Sequence, residues 1–182
     1  MVLRTAGDQE ATGGPLAFTF GSWFTWTAVG VAFPVLGLLL VRAAGLLARG
    51  AYEQWPVLAA THVATLGWVT MTIMGAAAQM APALLGARVW AERTVPWLYG
   101  LVALSVTAVV VGFARGALDS VAAGGAGVTV ASWWFLVLVV STMRSAGPKR
   151  TVVSPHIPVA LICFALVLIW GTLLAANLRW GF

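Results

Sequence analysis

Charge is what this sequence has least of. Asp, Glu, Lys and Arg make up 8% of its 182 residues and apolar side chains 61%, whereas a soluble domain carries about 25% charged residues. The scarcity is patterned. Positions 11–41, 54–87, 94–114, 120–143 and 151–178 contain no Asp, Glu, Lys or Arg. Each run exceeds the roughly 20 residues a helix needs to cross the hydrocarbon core of a bilayer. A soluble fold of this size has nowhere to hide so much apolar surface. Transmembrane strands need only about 10 residues in polar–apolar alternation, and that alternation is missing too. The expected fold is all-α: one transmembrane domain over 1–182, a bundle of five transmembrane helices at approximately 16–46, 56–86, 95–115, 120–143 and 156–178.

Other absences narrow the chemistry. A single cysteine, Cys163, forms no internal disulfide and no thiolate metal cluster; it is expected to be a small buried apolar residue. There is no Gly-rich phosphate loop, no nucleophile–base pair and no carboxylate pair. Proton relays and ion-coupled transporters generally use acidic or basic residues inside the membrane, so charge-free spans argue against a pump or secondary transporter made from this chain alone. The net charge of +5 lies in the loops, where it matches anionic lipid headgroups, and gives no basic face for nucleic acid. Residues 1–15 pair Arg4 with Asp8 and Glu10 ahead of an apolar run about twice the length of a signal-peptide core, so no cleaved signal peptide is expected.

Proline, glycine and tryptophan punctuate what remains. Pro34 predicts a kink inside the first span. Pro56 and Pro96 suit the first turns of the second and third helices, and Asp119-Ser120 reads as the start of the fourth. Alternate loops place Arg4, Arg88, Arg93, Arg144, Lys149 and Arg150 on one side and Arg42, Arg49, Arg115 and Arg179 on the other. The positive-inside rule then favours a cytoplasmic N-terminus. Trp23, Trp26, Trp55, Trp90, Trp97 and Trp180 fall near span ends, where indole rings suit the headgroup region. Trp68 and Trp170 lie mid-span and call for interhelical packing or a ring beside a cofactor.

The one ionisable group well inside a span is His62, six residues past Pro56 and so about 9 Å into the helix. An intramembrane ionisable residue is a functional-site hypothesis by default, and imidazole is a common axial ligand of haem iron. The alternative is a histidine hydrogen-bonded to a backbone carbonyl or a nearby Thr. Gly67, Met71 and Gly75 follow at intervals of four, a stripe that admits a neighbouring helix or a flat macrocycle. Gln79, 17 positions on, is expected to face the same way about 25 Å further along the axis. His156, in Ser154-Pro155-His156-Ile157-Pro158, begins the fifth span at the opposite membrane face and is expected to be interfacial.

The run His62-Val63-Ala64-Thr65-Leu66-Gly67-Trp68, continuing through Met71, Gly75 and Gln79-Met80-Ala81-Pro82, resembles the second helix of the catalytic subunit I of haem-copper oxidases. There a His is followed four residues on by Leu-Gly-Trp or Leu-Gly-Phe, then by a Gly and by a Gln before a Pro. The resemblance covers about 25 residues. It implies that His62 ligates the iron of haem b, with Gly67, Trp68, Met71 and Gly75 beside the cofactor. In that family the second axial ligand and the copper ligands come from later helices, so oxygen reduction by this chain alone is not expected.

Together these features predict an integral membrane haem-binding protein of electron transfer in a bacterial or archaeal cell membrane. It would act in a homo-oligomer, or with a partner membrane subunit that supplies the second haem ligand. A cofactor-free structural or assembly subunit is the competing expectation.

Overall fold

The computed structural model describes residues 15–85, 88–147 and 156–180. Among them the chain forms five helices long and apolar enough to cross a membrane, and no strand. Helix α1 occupies 15–47, as Pro15–Thr27, a π turn at Ala28–Ala32, and Phe33–Leu47. Helix α2 occupies 55–85, as Trp55–His62, a π segment at Val63–Thr70, and Met71–Leu85. Then come α3 (Val95–Arg115), α4 (Leu118–Ala146) and α5 (His156–Trp180). The protein is an integral membrane, all-α bundle with bounds within a few residues of those expected from the charge-free runs.

Successive helices run antiparallel. The first half of α1 lies along the second half of α2, and α3 lies along α4. Thr129 in α4 meets Thr172 in α5 at 3.1 Å, and Phe135 meets Phe164 edge to face at 6.2 Å; the two pairs run in opposite directions along the chain. The core is apolar and comes from the first four helices, through Phe24, Met71, Met74, Leu98, Val102, Ala131, Phe135 and Leu138.

Small residues decide how close the helices come. In hydrocarbon there is no hydrophobic drive between helices, so van der Waals packing and interhelical hydrogen bonds carry association. A Cβ on Gly75 would sit 2.7 Å from the Gly21 carbonyl oxygen and 2.7 Å from Thr25 Oγ1, so α1 and α2 touch backbone to backbone there. Gln79 Nε2 donates to Ser22 Oγ beside that contact, at 3.2 Å. Between α3 and α4, a Cβ on Gly124 would meet Val109 N at 2.7 Å and one on Gly112 would meet Val121 N at 2.8 Å.

Three expectations need correction. Helix α4 begins at Leu118, ahead of Asp119-Ser120, and Ala117 at its N-cap makes no side-chain cap bond; Ser120 Oγ instead donates across to the Ala108 carbonyl of α3 at 2.9 Å. Cys163 is exposed, because α5 packs along one side on α4 and leaves most of its circumference outside the bundle. Trp170 stands on that same outward surface, 70% exposed, and so packs little within the chain.

Gly75→Ala is expected to destabilise the bundle by about 1–3 kcal/mol through overpacking. Gly37→Ala, with nothing within 4 Å of its added methyl, should change stability by less than about 0.5 kcal/mol. Unfolding of the two variants in mixed detergent micelles, side by side, measures the difference.

Candidate functional site

The candidate site lies where α2 departs from α-helical geometry. Helix α1 carries its π turn immediately before Phe33-Pro34, and the Phe33 amide reaches the Ala28 carbonyl, five residues back. Proline explains this: Pro34 has no N–H and its ring clashes with the carbonyl four residues earlier, so the turn widens to clear it. Helix α2 has no proline within Val63–Thr70. Its π segment lies against that of α1, and a Cβ on Gly67 would be 3.1 Å from Ala32 Cβ and 3.7 Å from Val106 Cγ1. Threonine hydroxyls support the loosened turns. Thr61, Thr65 and Thr72 donate to carbonyls four residues back, and Thr70 donates to the Thr65 carbonyl, five back, at 2.7 Å.

His62 is the last residue before the π segment. Its Nδ1 lies 2.8 Å from the Leu58 carbonyl oxygen. A carbonyl only accepts, so Nδ1 carries the proton and the lone pair of the neutral ring is at Nε2. The ring stacks on Phe113 of α3, centroids 4.5 Å apart and planes 30° apart, and Trp55 leans on the other side of the cluster, 6.1 Å from Phe113. The imidazole is therefore fixed in tautomer by α2 and in plane by α3. It is half-buried, and among the described residues no buried side-chain nitrogen or oxygen lacks a hydrogen-bond partner, so the unbonded Nε2 reaches the bundle surface.

The other expected site residues are not gathered around that nitrogen. Gly67 and Gly75 are buried against α1, where helix packing fills the room a macrocycle would need. Met71 is 2% exposed in the core, beside Met74. Trp68 lies on the outer side of α2, its ring edge to face with Phe33 at 5.3 Å. Gln79 faces α1 while His62 faces α3, which corrects the expectation that they share a face. Seventeen residues at about 100° each fall one residue short of whole turns, and the π segment takes up about one more. His156 opens α5 at the opposite face from the start of α2. Among the described residues no three His, Cys, Asp or Glu side chains come together as a metal site.

Sequence reasoning missed Phe113 and the α2 π segment. Only packing against α3 and α1 reveals them; no local spacing marks either. Comparison of the chain with protein-family models, curated proteins and solved structures finds no match.

The π segment can be tested by register. An i→i+5 turn holds one residue more than an α turn, so deleting Val69 should convert it to α-helix while both flanks keep their faces. Deleting Ala76 in the regular part should instead turn one flank by about 100° and pull Gly75 or Gln79 off α1. The Val69 deletion is expected to melt near the wild type and the Ala76 deletion far below it, read by circular dichroism in detergent.

Proposed function

We propose that this chain is a subunit of a membrane electron-transfer assembly in a bacterial or archaeal cell membrane, its N-terminus cytoplasmic, that holds a b-type haem through His62. The observation that carries this reading is the state of the His62 ring. Its Nδ1 proton is committed to the Leu58 carbonyl at 2.8 Å, and its plane is set by Phe113. A backbone carbonyl on the far nitrogen is one of the partners, with carboxylates and water, that orient an imidazole ligating a metal through the other. The likeness of His62–Pro82 to the second helix of haem-copper oxidase subunit I adds to it.

The residues fit one half of such a site. They offer one iron ligand at this depth; Met71 and Met74 are turned into the core, and His156 begins at the opposite face. A low-spin haem takes a second axial ligand, which on this reading comes from outside the described bundle, from a second copy or a partner membrane subunit. The haem would supply a one-electron centre. The Leu58 carbonyl would keep His62 in the ligating tautomer, and Phe113 would limit rotation of its ring.

A second reading, a cofactor-free structural or assembly subunit, is favoured by Gly67 and Gly75, whose open space is taken by α1, and by the His62–Leu58 bond itself, which a histidine with no ligand also makes. The two readings part at His62. In a reduced-minus-oxidised visible spectrum of the purified protein, the haem reading expects a b-type α-band that His62→Ala removes and Gly37→Ala, with open space around its added methyl, leaves in place. A flat spectrum from correctly folded wild-type protein would favour the structural subunit.

A further inference from the structure

Among the described residues, Arg42 is the charge set furthest inside a helix. Arg115 is the last residue of α3, Asp119 the second of α4 and Arg144 the third from the end of α4. Arg42 instead lies five residues before the end of α1 at Leu47, about 7.5 Å along the axis at roughly 1.5 Å per residue. It points outward: Arg42 is exposed, while its neighbour Ala43 is fully buried. The span Gly21–Leu47 has 27 residues, which makes it about 40 Å long against a hydrocarbon core of about 30 Å. Its last turns therefore stand in the headgroup layer, with Arg42 near the boundary of the apolar core on the outside of the bundle.

A second arginine turns down toward it. Arg49 lies just past the helix end, where an extended side chain would reach water. Its Nε instead donates to the Gly45 carbonyl, one turn deeper, at 3.1 Å. A Cβ on Gly45 would be 3.7 Å from Arg49 Nη2, so the guanidinium lies over the glycine. Leu38, Val41, Arg42, Gly45 and Arg49 fall within about 100° of one another around the helix, so Arg42 shares this face. An arginine at the base of the headgroup layer extends toward the interface, and the two arginines thus reach for one depth, that of Gly45. Neither meets a carboxylate among the described residues. Deeper along the same face the surface is aliphatic, with Leu38 68% and Val41 77% exposed.

We infer that Arg42, Gly45 and Arg49 form a binding site for the phosphate of an anionic phospholipid, whose acyl chains lie along Leu38 and Val41. Two guanidiniums without a counter-ion on the outside of a bundle, at headgroup depth, call for an anion, and lipid phosphate is the anion found at that depth. Guanidinium forks grip phosphate oxygens through parallel N–H bonds, and Gly45, with no side chain, leaves the room between them open. Two like charges favour a headgroup with no cation of its own over a zwitterionic one, whose ammonium they repel. The site is independent of His62 and of any haem.

The test is lipid retention by the full-length protein, read by native mass spectrometry in detergent after addition of equal amounts of phosphatidylglycerol and phosphatidylcholine. The wild type is expected to keep phosphatidylglycerol in preference. A basic residue at an anionic membrane surface is worth about a fivefold change in binding, so Arg42→Gln and Arg49→Gln should each weaken retention by roughly that factor. Arg115→Gln, at the end of α3, should leave it unchanged. Gly45→Leu keeps both charges, fills the space between them and should also weaken retention. All four positions are exposed, so the variants keep the bundle. Equal retention of the two lipids, no effect of Arg42→Gln, or an equal effect of Arg115→Gln would each overturn the site. So would displacement of the lipid by inorganic phosphate at the same concentration, which would make the ligand a free ion. No arm of the experiment depends on the haem band.

Discussion

Within the hydrocarbon layer every backbone N–H and C=O must find a partner inside the protein, because no water is there to serve as one. The rest of this structure follows from that constraint. It makes each charge-free run a helix, and it turns the hydroxyls of Thr61, Thr65, Thr72, Thr107 and Thr172 back onto their own helices. It also governs what happens where the ladder is interrupted. Pro34 removes one donor from α1, and the chain answers with a π turn in which Phe33 bonds five residues back instead of four. The wider turn then meets a second wide turn on α2, with Gly67 against Ala32. One imino acid in α1 is thus associated with the geometry around His62 on another helix.

The fold was legible because composition and length both point to it. Charges at 42, 49, 53, 88, 92, 93, 115, 119 and 144 mark the ends of spans, since a charge in the bilayer core costs several kcal/mol. Proline and glycine refined the ends: Pro96 lies in the first turn of α3, and Gly116 closes it with φ +69°. Which face of each helix looks inward was much less legible. Outward and inward residues are equally apolar in a membrane, so the pattern that would have placed Cys163 and Trp170 on the surface is absent from the sequence. The angular relation between His62 and Gln79 failed twice over: 17 residues fall one short of whole turns, and a π segment without a proline, which leaves no trace in residue spacing, takes up about one more.

The candidate site was half legible. His62 stands out because it is the only histidine well inside a span, and a carbonyl partner for it was among the expectations. Phe113 was not visible, since it arrives from α3, 51 positions along the chain. The stripe of Gly67, Met71 and Gly75 illustrates why small residues are ambiguous from sequence: the same gap admits a helix or a ligand, and here α1 occupies it.

The way α5 is attached bears on how the molecule is made. Each helix after the first packs on the one before it, α2 on α1, α3 on α2, α4 on α3 and, among the described residues, α5 on α4. During synthesis every helix after the first therefore enters a bilayer that already contains a packing partner. No long loop has to close before a favourable contact forms, and loop closure is what slows folds dominated by distant pairings. The bundle can accordingly grow by addition at one edge, in the order in which the ribosome delivers its parts.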